Sequence, residues 1–137
     1  MSENPNTALT ILVIEPDNEV RPLLQHNLKH DGFRIIMTID EEDAIERTKD
    51  GRAQPDLILL NQVGLSPDEV LQMGQRIRRC AGLPDQTAIV VMAERYEQGM
   101  EGKNIQVDKS EYVTYLEDAQ QLLDFLHSLV VLEPPSP

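Results

Sequence analysis

Apolar runs of strand length alternate with helix-period patterns along nearly the whole chain. Residues 9–14, Leu-Thr-Ile-Leu-Val-Ile, are almost continuously apolar, the pattern of a strand buried on both faces of a parallel sheet. Behind them Val20, Leu23, Leu24 and Leu28 recur at helical spacing, with Asp17 placed to cap the helix and Pro22 tolerated only near its first turn. Asp31-Gly32 ends that helix, and residues 33–39 read as a second strand. The acidic residues Asp40, Glu41, Glu42 and Asp43 mark the start of a second helix, where negative charge is favoured by the helix dipole. A third strand is predicted over 56–60, a third helix over 67–79 with Ser66 as its cap, and a fourth strand over 87–92. A fifth strand falls over 111–115, and a last amphipathic helix over 118–130 carries Leu122, Leu123, Leu126 and Leu129.

Residues 95–110 resist this scheme. A fourth helix belongs there, yet Gly99, Gly102 and Asn104 weaken it, each glycine costing about 1 kcal/mol against alanine. Ile105-Gln106-Val107 alternates like an extended piece, so the fourth helix is expected to be short, frayed or missing. Strands alternating with helices argue for an α/β fold, a doubly wound five-stranded parallel sheet with helices on both faces. Such sheets gather their chemistry at the carboxyl ends of the strands, here just after Ile14, Leu60, Val91 and Thr114. Residues 1–8 are expected to be a loose tail, 9–131 one domain, and the Pro-rich 132–137 a tail or the start of a linker.

Composition narrows the function. A chain of 137 residues fits one domain with its own core, and 4% aromatic content without Trp makes that core aliphatic. The single cysteine, Cys80, excludes an internal disulfide and a Cys-rich zinc site. A net charge of -12 repels phosphate backbones and anionic lipid, so neither nucleic acid nor a membrane surface is an expected partner. Arg76, Arg78 and Arg79 read as a solvated helix end rather than a binding patch. The apolar runs are far short of the ~20 residues of a spanning helix, the N-terminus carries no apolar signal segment, and a cytoplasmic location is expected. His26 and His30 stand four apart on one helix face, a metal-capable spacing, but with no third ligand in view they read as solvated; His127 is isolated from them.

Five stretches carry a more specific signal: Ile11 to Asp17, Gly32 to Ala44, Pro55 to Asn61, Arg76 to Met92 and Tyr112 to Leu116. Together they resemble the receiver domain of bacterial two-component response regulators, over roughly 9–130. The resemblance implies the flavodoxin-like topology, strand order 2-1-3-4-5. It also implies a site in which two acids after strand one and an aspartate after strand three hold Mg²⁺. That aspartate takes the phosphoryl group, and a Thr or Ser after strand four and a Lys-Pro pair after strand five bind it.

This chain departs at nearly every one of those places. The paired acids are Glu15 and Pro16, the phosphoacceptor position is Asn61, the hydroxyl position is Met92, and the Lys-Pro pair is Tyr115-Leu116, with Tyr112 at the aromatic switch position. An amide has no ionisable oxygen with which to form an acyl phosphate, and one glutamate beside an amide supplies little charge for a hard, strongly hydrated cation. Asp56, at the opposite end of its strand, is no substitute. Asn61 is expected to bond backbone at the strand end, Met92 to fill a gap, and Tyr115 to lay its ring across the former pocket.

The implied protein is a degenerate, pseudo-receiver type: not an enzyme, without catalytic residues, metal or cofactor, and with Mg²⁺ binding weak or absent. It is expected to work as a phosphorylation-independent protein-interaction module. Its contact surface is the one built by helix four, strand five and helix five, about 94–130 with Tyr96, Tyr112 and Tyr115, a homodimer being one form of that contact. Two alternatives stand beside it. One is an unconventional phospho-receiver using Glu15 and Asp17 for metal. The other is a small-ligand sensor built on Asn61, Met92 and Tyr115.

Overall fold

The computed structural model describes residues 9–61, 64–93 and 96–131. In chain order the elements are β1 (Thr10–Ile14), α1 (Val20–His30), β2 (Arg34–Thr38), α2 (Glu41–Thr48) with a 3₁₀ turn at Lys49–Gly51, and β3 (Leu57–Asn61). They continue with α3 (Pro67–Cys80), β4 (Ala88–Ala93), β5 (Asn104–Asp108), β6 (Glu111–Tyr115) and α4 (Ala119–Val131). The expected tails at 1–8 and 132–137 lie outside the described residues.

The strands form one six-stranded sheet in the order β2-β1-β3-β4-β6-β5. Five of them are parallel neighbours in the expected 2-1-3-4-5 arrangement, β6 taking the fifth place. The sixth corrects the expectation of a purely parallel five-stranded sheet: β5 pairs antiparallel with β6 as an added hairpin at the edge. Residues 96–103 hold turns rather than a helix, so the weak fourth helix is replaced, not merely shortened. The cause is local. Gly99 and Gly102 adopt positive φ (94° and 78°), which turns the chain before a helix can propagate. The alternating Ile105 and Val107 then suit a strand, closed back on β6 through Lys109-Ser110.

Two apolar layers sandwich the sheet. On one face α2 and α3 bring Ala44, Val70, Leu71 and Ile77 onto Leu12, Ile58, Leu60, Ile89 and Val91. On the other α1 and α4 bring Leu28, Leu122 and Leu126 onto Ile11, Val13, Leu59, Val90 and Met92. Leu12, Val13, Leu59 and Val90 are fully enclosed, each contributing about 1.5–3 kcal/mol of hydrophobic stabilisation. Gly74 lets α3 approach closely: a Cβ there would stand 2.7 Å from Ile89 Cγ2 and 3.2 Å from Leu60 Cδ1.

Helix starts follow the sequence signals. Ser66 and Glu69 form a full capping box with Pro67 at the first turn of α3, and Asp40 accepts from the Asp43 N–H at 2.8 Å. Asp17 caps from further out than expected: Glu19 holds the N-cap place, while Asp17 Oδ1 accepts the Glu19 N–H at 2.8 Å. Polar ties hold the layers together. Arg76 makes a bidentate pair with Glu41 (2.6 and 2.8 Å) between α3 and α2. Arg78 and Gln75 clamp the buried Glu111 at the start of β6 (2.8 and 2.9 Å). His127 on α4 stacks on Phe33 and reaches Asp31 at 2.5 Å.

Candidate functional site

The parallel strands end at one level, which gathers the predicted positions. Ile14 stands opposite Leu60 and Asn61 opposite Met92, so Glu15, Asn61 and Met92 meet at the carboxyl edge of the sheet. Glu15 is fully enclosed and Asn61 is 6% exposed. Asn61 donates its amide Nδ2–H to Glu15 Oε1 at 2.6 Å, and the Asp17 N–H donates to Glu15 Oε2 at 3.0 Å. Both carboxylate oxygens therefore accept hydrogen bonds, as a buried acid requires. The bond to Glu15 corrects the expectation that Asn61 would bond backbone. Among the described residues Asn61 Oδ1, also buried, has no hydrogen-bond partner.

The remaining positions separate. Pro16 is exposed, and Asp17 faces the start of α1, where Arg21 also donates to the Glu15 carbonyl at 2.6 Å and binds Asn18. Met92 is buried in the α1–α4 layer, the gap-filling role expected of it. Tyr112 packs edge-on against Phe125 of α4 at 5.6 Å, so its ring braces the last helix. Tyr115 does not lie across the pocket. Its ring turns to the α2–α3 face and meets Tyr96 edge-on at 5.4 Å, because strand alternation sends neighbours to opposite sides.

Leu116, next in the chain, lines the cleft instead, and its carbonyl accepts the Tyr96 hydroxyl at 2.5 Å. Loss of solvent around that hydroxyl, with the charges of Glu101 and Glu117, raises the Tyr96 pKa above the usual phenol value. Sequence reasoning did not foresee this contact, nor the network in which Asn104 Oδ1 accepts from Thr114 (2.6 Å) and Gln121 (2.9 Å). No spacing signals either one, since the partners come from separate elements.

The gathered residues border a cleft of about 320 Å³ between α1 and the start of α4. Val20, Leu23, Leu24, Met92, Leu116 and Leu122 make its apolar wall; Glu15, Asn27, Asn61, Glu117 and Asp118 are its polar lining. This donor set does not fit a divalent cation. Both oxygens of Glu15 hold N–H groups. Among the described residues no three His, Cys, Asp or Glu side chains gather closely enough to hold a metal. His26 and His30 are exposed, with ring centres 6.2 Å apart, and Cys80 is exposed at the end of α3. No described helix is long and apolar enough to cross a membrane.

Solved structures share this architecture. A response regulator receiver protein from Sinorhizobium medicae superposes with a TM-score of 0.67 at 19% identity, over 94% of this chain and 99% of its own. The fold is that of a receiver domain. A response regulator from Thermotoga maritima gives 0.67 at 20% identity, over 90% and 98% of the two chains. The Thermotoga maritima response regulator TrrA also shares the receiver fold. In complex with the histidine kinase ThkA it gives 0.64 at 17% identity (89% and 98% covered), and with Mg²⁺-BeF 0.60 at 23% (88% and 98%). No protein-family model and no curated protein matches the sequence.

Proposed function

We propose that this domain is a pseudo-receiver: a protein-interaction module of bacterial two-component signalling that acts without being phosphorylated. The observation that carries the reading is the 2.6 Å bond from the Asn61 amide to the buried Glu15 carboxylate. By alignment Asn61 holds the phosphoacceptor position, and an amide cannot attack phosphorus or carry an acyl phosphate. The same bond ties up the acid that a metal would need, Met92 puts a thioether at the hydroxyl position, and Tyr115, at the cation position, turns its ring away to Tyr96. TrrA binds a histidine kinase through the same fold, which supports a protein partner for this chain. The partner-facing region is the one from Tyr96 through α4. Melting the protein with and without Mg²⁺ and beryllofluoride tests the reading. An unchanged midpoint is expected; a rise would mean a working phosphoryl site, since native-state ligands stabilise by mass action.

One observation favours ligand sensing as a second reading: the apolar cleft borders a buried acceptor, Asn61 Oδ1, that lacks a partner. A cleft of this volume lies at the small end of ligand pockets, roughly 300–1,000 Å³. A screen of small amines and alcohols by melting temperature checks it, and a flat response across the set would remove it.

A further inference from the structure

The strand that takes the place of the fourth helix leaves the sheet open. Among the described residues β5 ends the strand order, and all five of its residues are exposed, Ile105 at 37% and Val107 at 48%. β2, at the other edge, is half-buried at Ile35, Ile36 and Met37 and closed at Thr38, with Arg34 exposed. An unpaired ladder edge is a template for another strand. Its polarity can be assigned. Tyr115 donates its N–H to the Lys103 carbonyl at 2.8 Å, and Asn104, Ile105 and Gln106 stand opposite Thr114, Val113 and Tyr112. Inward- and outward-bonding residues alternate in an antiparallel ladder. Lys103 and Ile105 therefore bond to β6, and Asn104 and Gln106 turn their N–H and C=O groups outward.

We infer that this edge pairs with the β5 edge of a second copy of the chain, joining two sheets across a twofold axis. The strand is self-complementary about Ile105. An axis there sets Asn104 against Gln106 of the second copy, and Gln106 against its Asn104, so the outward groups bond each other while Ile105 meets Ile105. The Gln106–Asp108 irregularity falls beyond this short ladder and limits its length.

Charge permits the contact here. The chain carries -12, yet the exposed charges on and next to β5 in the chain (Glu101, Lys103, Asp108 and Lys109) cancel, Glu111 is neutralised by Arg78, and Glu117 beside Gly102 adds a single negative charge. Two copies meeting at this edge thus bring little like charge into direct contact, and the longer-range repulsion of the net charge is what remains to oppose them. A ladder this short buries less than the ~1,200 Å² of a standard interface, so the dimer is a weak one.

The inference specifies the partner within the interaction-module reading, and the two fail separately. Phosphate uptake would end that reading without touching the edge; a monomeric protein would end this one alone. The test is sedimentation of the full chain from about 10 to about 500 µM, the range of a weak interface. Wild type is expected to dimerise across it. Gln106→Pro removes an outward N–H without an inward bond, and Ile105→Lys sets two like charges opposite each other. Each should raise the dissociation constant at least about tenfold with the circular dichroism spectrum intact. Ile105→Lys, at an exposed site, keeps the test open where the proline disturbs the strand. A wild type monomeric throughout would overturn the inference and leave a strand from another protein as the occupant. A dimer indifferent to both changes would place the contact elsewhere.

Discussion

Asn61 and Glu15 meet because β1 and β3 run parallel and stop together, which carries two residues 46 positions apart into a 2.6 Å hydrogen bond. An amide suits that place: it donates to the acid, where a second carboxylate would only repel it. Asn61→Asp should therefore lower the melting temperature at pH 7.5, with a loss of about 1–3 kcal/mol. Two facing carboxylates raise the pKa of the pair above the unfolded value, so the native state binds more protons and stability returns as pH falls toward 5. Melting curves across that range check the prediction; a variant as stable as wild type at pH 7.5 would show that the bond matters little. At this scale the sequence marked Asn61 as the residue to question. It did not reveal where the amide would turn, because Glu15 enters only through tertiary contact. Tyr115 and Leu116 show the same limit: one residue of strand alternation decided which of them borders the cleft.

Among the elements, those with strong local signals were legible. The α3 cap was visible as Ser66 followed by Pro67 and Glu69, and β1, β3 and β4 as apolar runs. The β5 hairpin was not, because Ile105 and Val107 mark a strand without naming its neighbour, and the expected helix dominated the pattern. Gly74 was equally silent, since only the packed sheet explains it. Gly74→Ala would gain about 1 kcal/mol of helix propensity but drive a methyl into Ile89 Cγ2, an overpacking cost of about 1–3 kcal/mol. A net loss of about 1 kcal/mol in urea unfolding is expected, and a stabilised variant would show α3 able to lift off the sheet.

The Glu41–Arg76 pair joins α2 to α3, and the Arg76 hydrogen bonds hold the Glu41 carboxyl below its ordinary 4.5. A depressed carboxylate contributes stability above its unfolded pKa and loses it as pH falls through the folded one. Glu41→Gln should thus cost about 0.5 kcal/mol at pH 7, and the difference from wild type should vanish near pH 3. A difference that persisted there would assign the effect to packing.

Over the whole molecule, the alternation of strands and helices made the doubly wound plan legible, while the charge of -12 bears on association rather than on fold. Mutual repulsion of two such chains is screened within about 8 Å at physiological salt, so the proposed dimer should tighten as NaCl is raised. Titrating salt in the sedimentation experiment checks this, and weakening on salt addition would mean that ion pairs hold the copies together.

The function proposed for the molecule depends most on the inability of its strand-end site to accept a phosphoryl group. Incubation of the full chain with acetyl phosphate and Mg²⁺, followed by intact-mass spectrometry, measures that directly. The expected spectrum contains only the unmodified chain, for wild type and for Asn61→Asp alike, since the variant still lacks the metal ligands and the cation. A phosphorylated wild-type species would contradict the account.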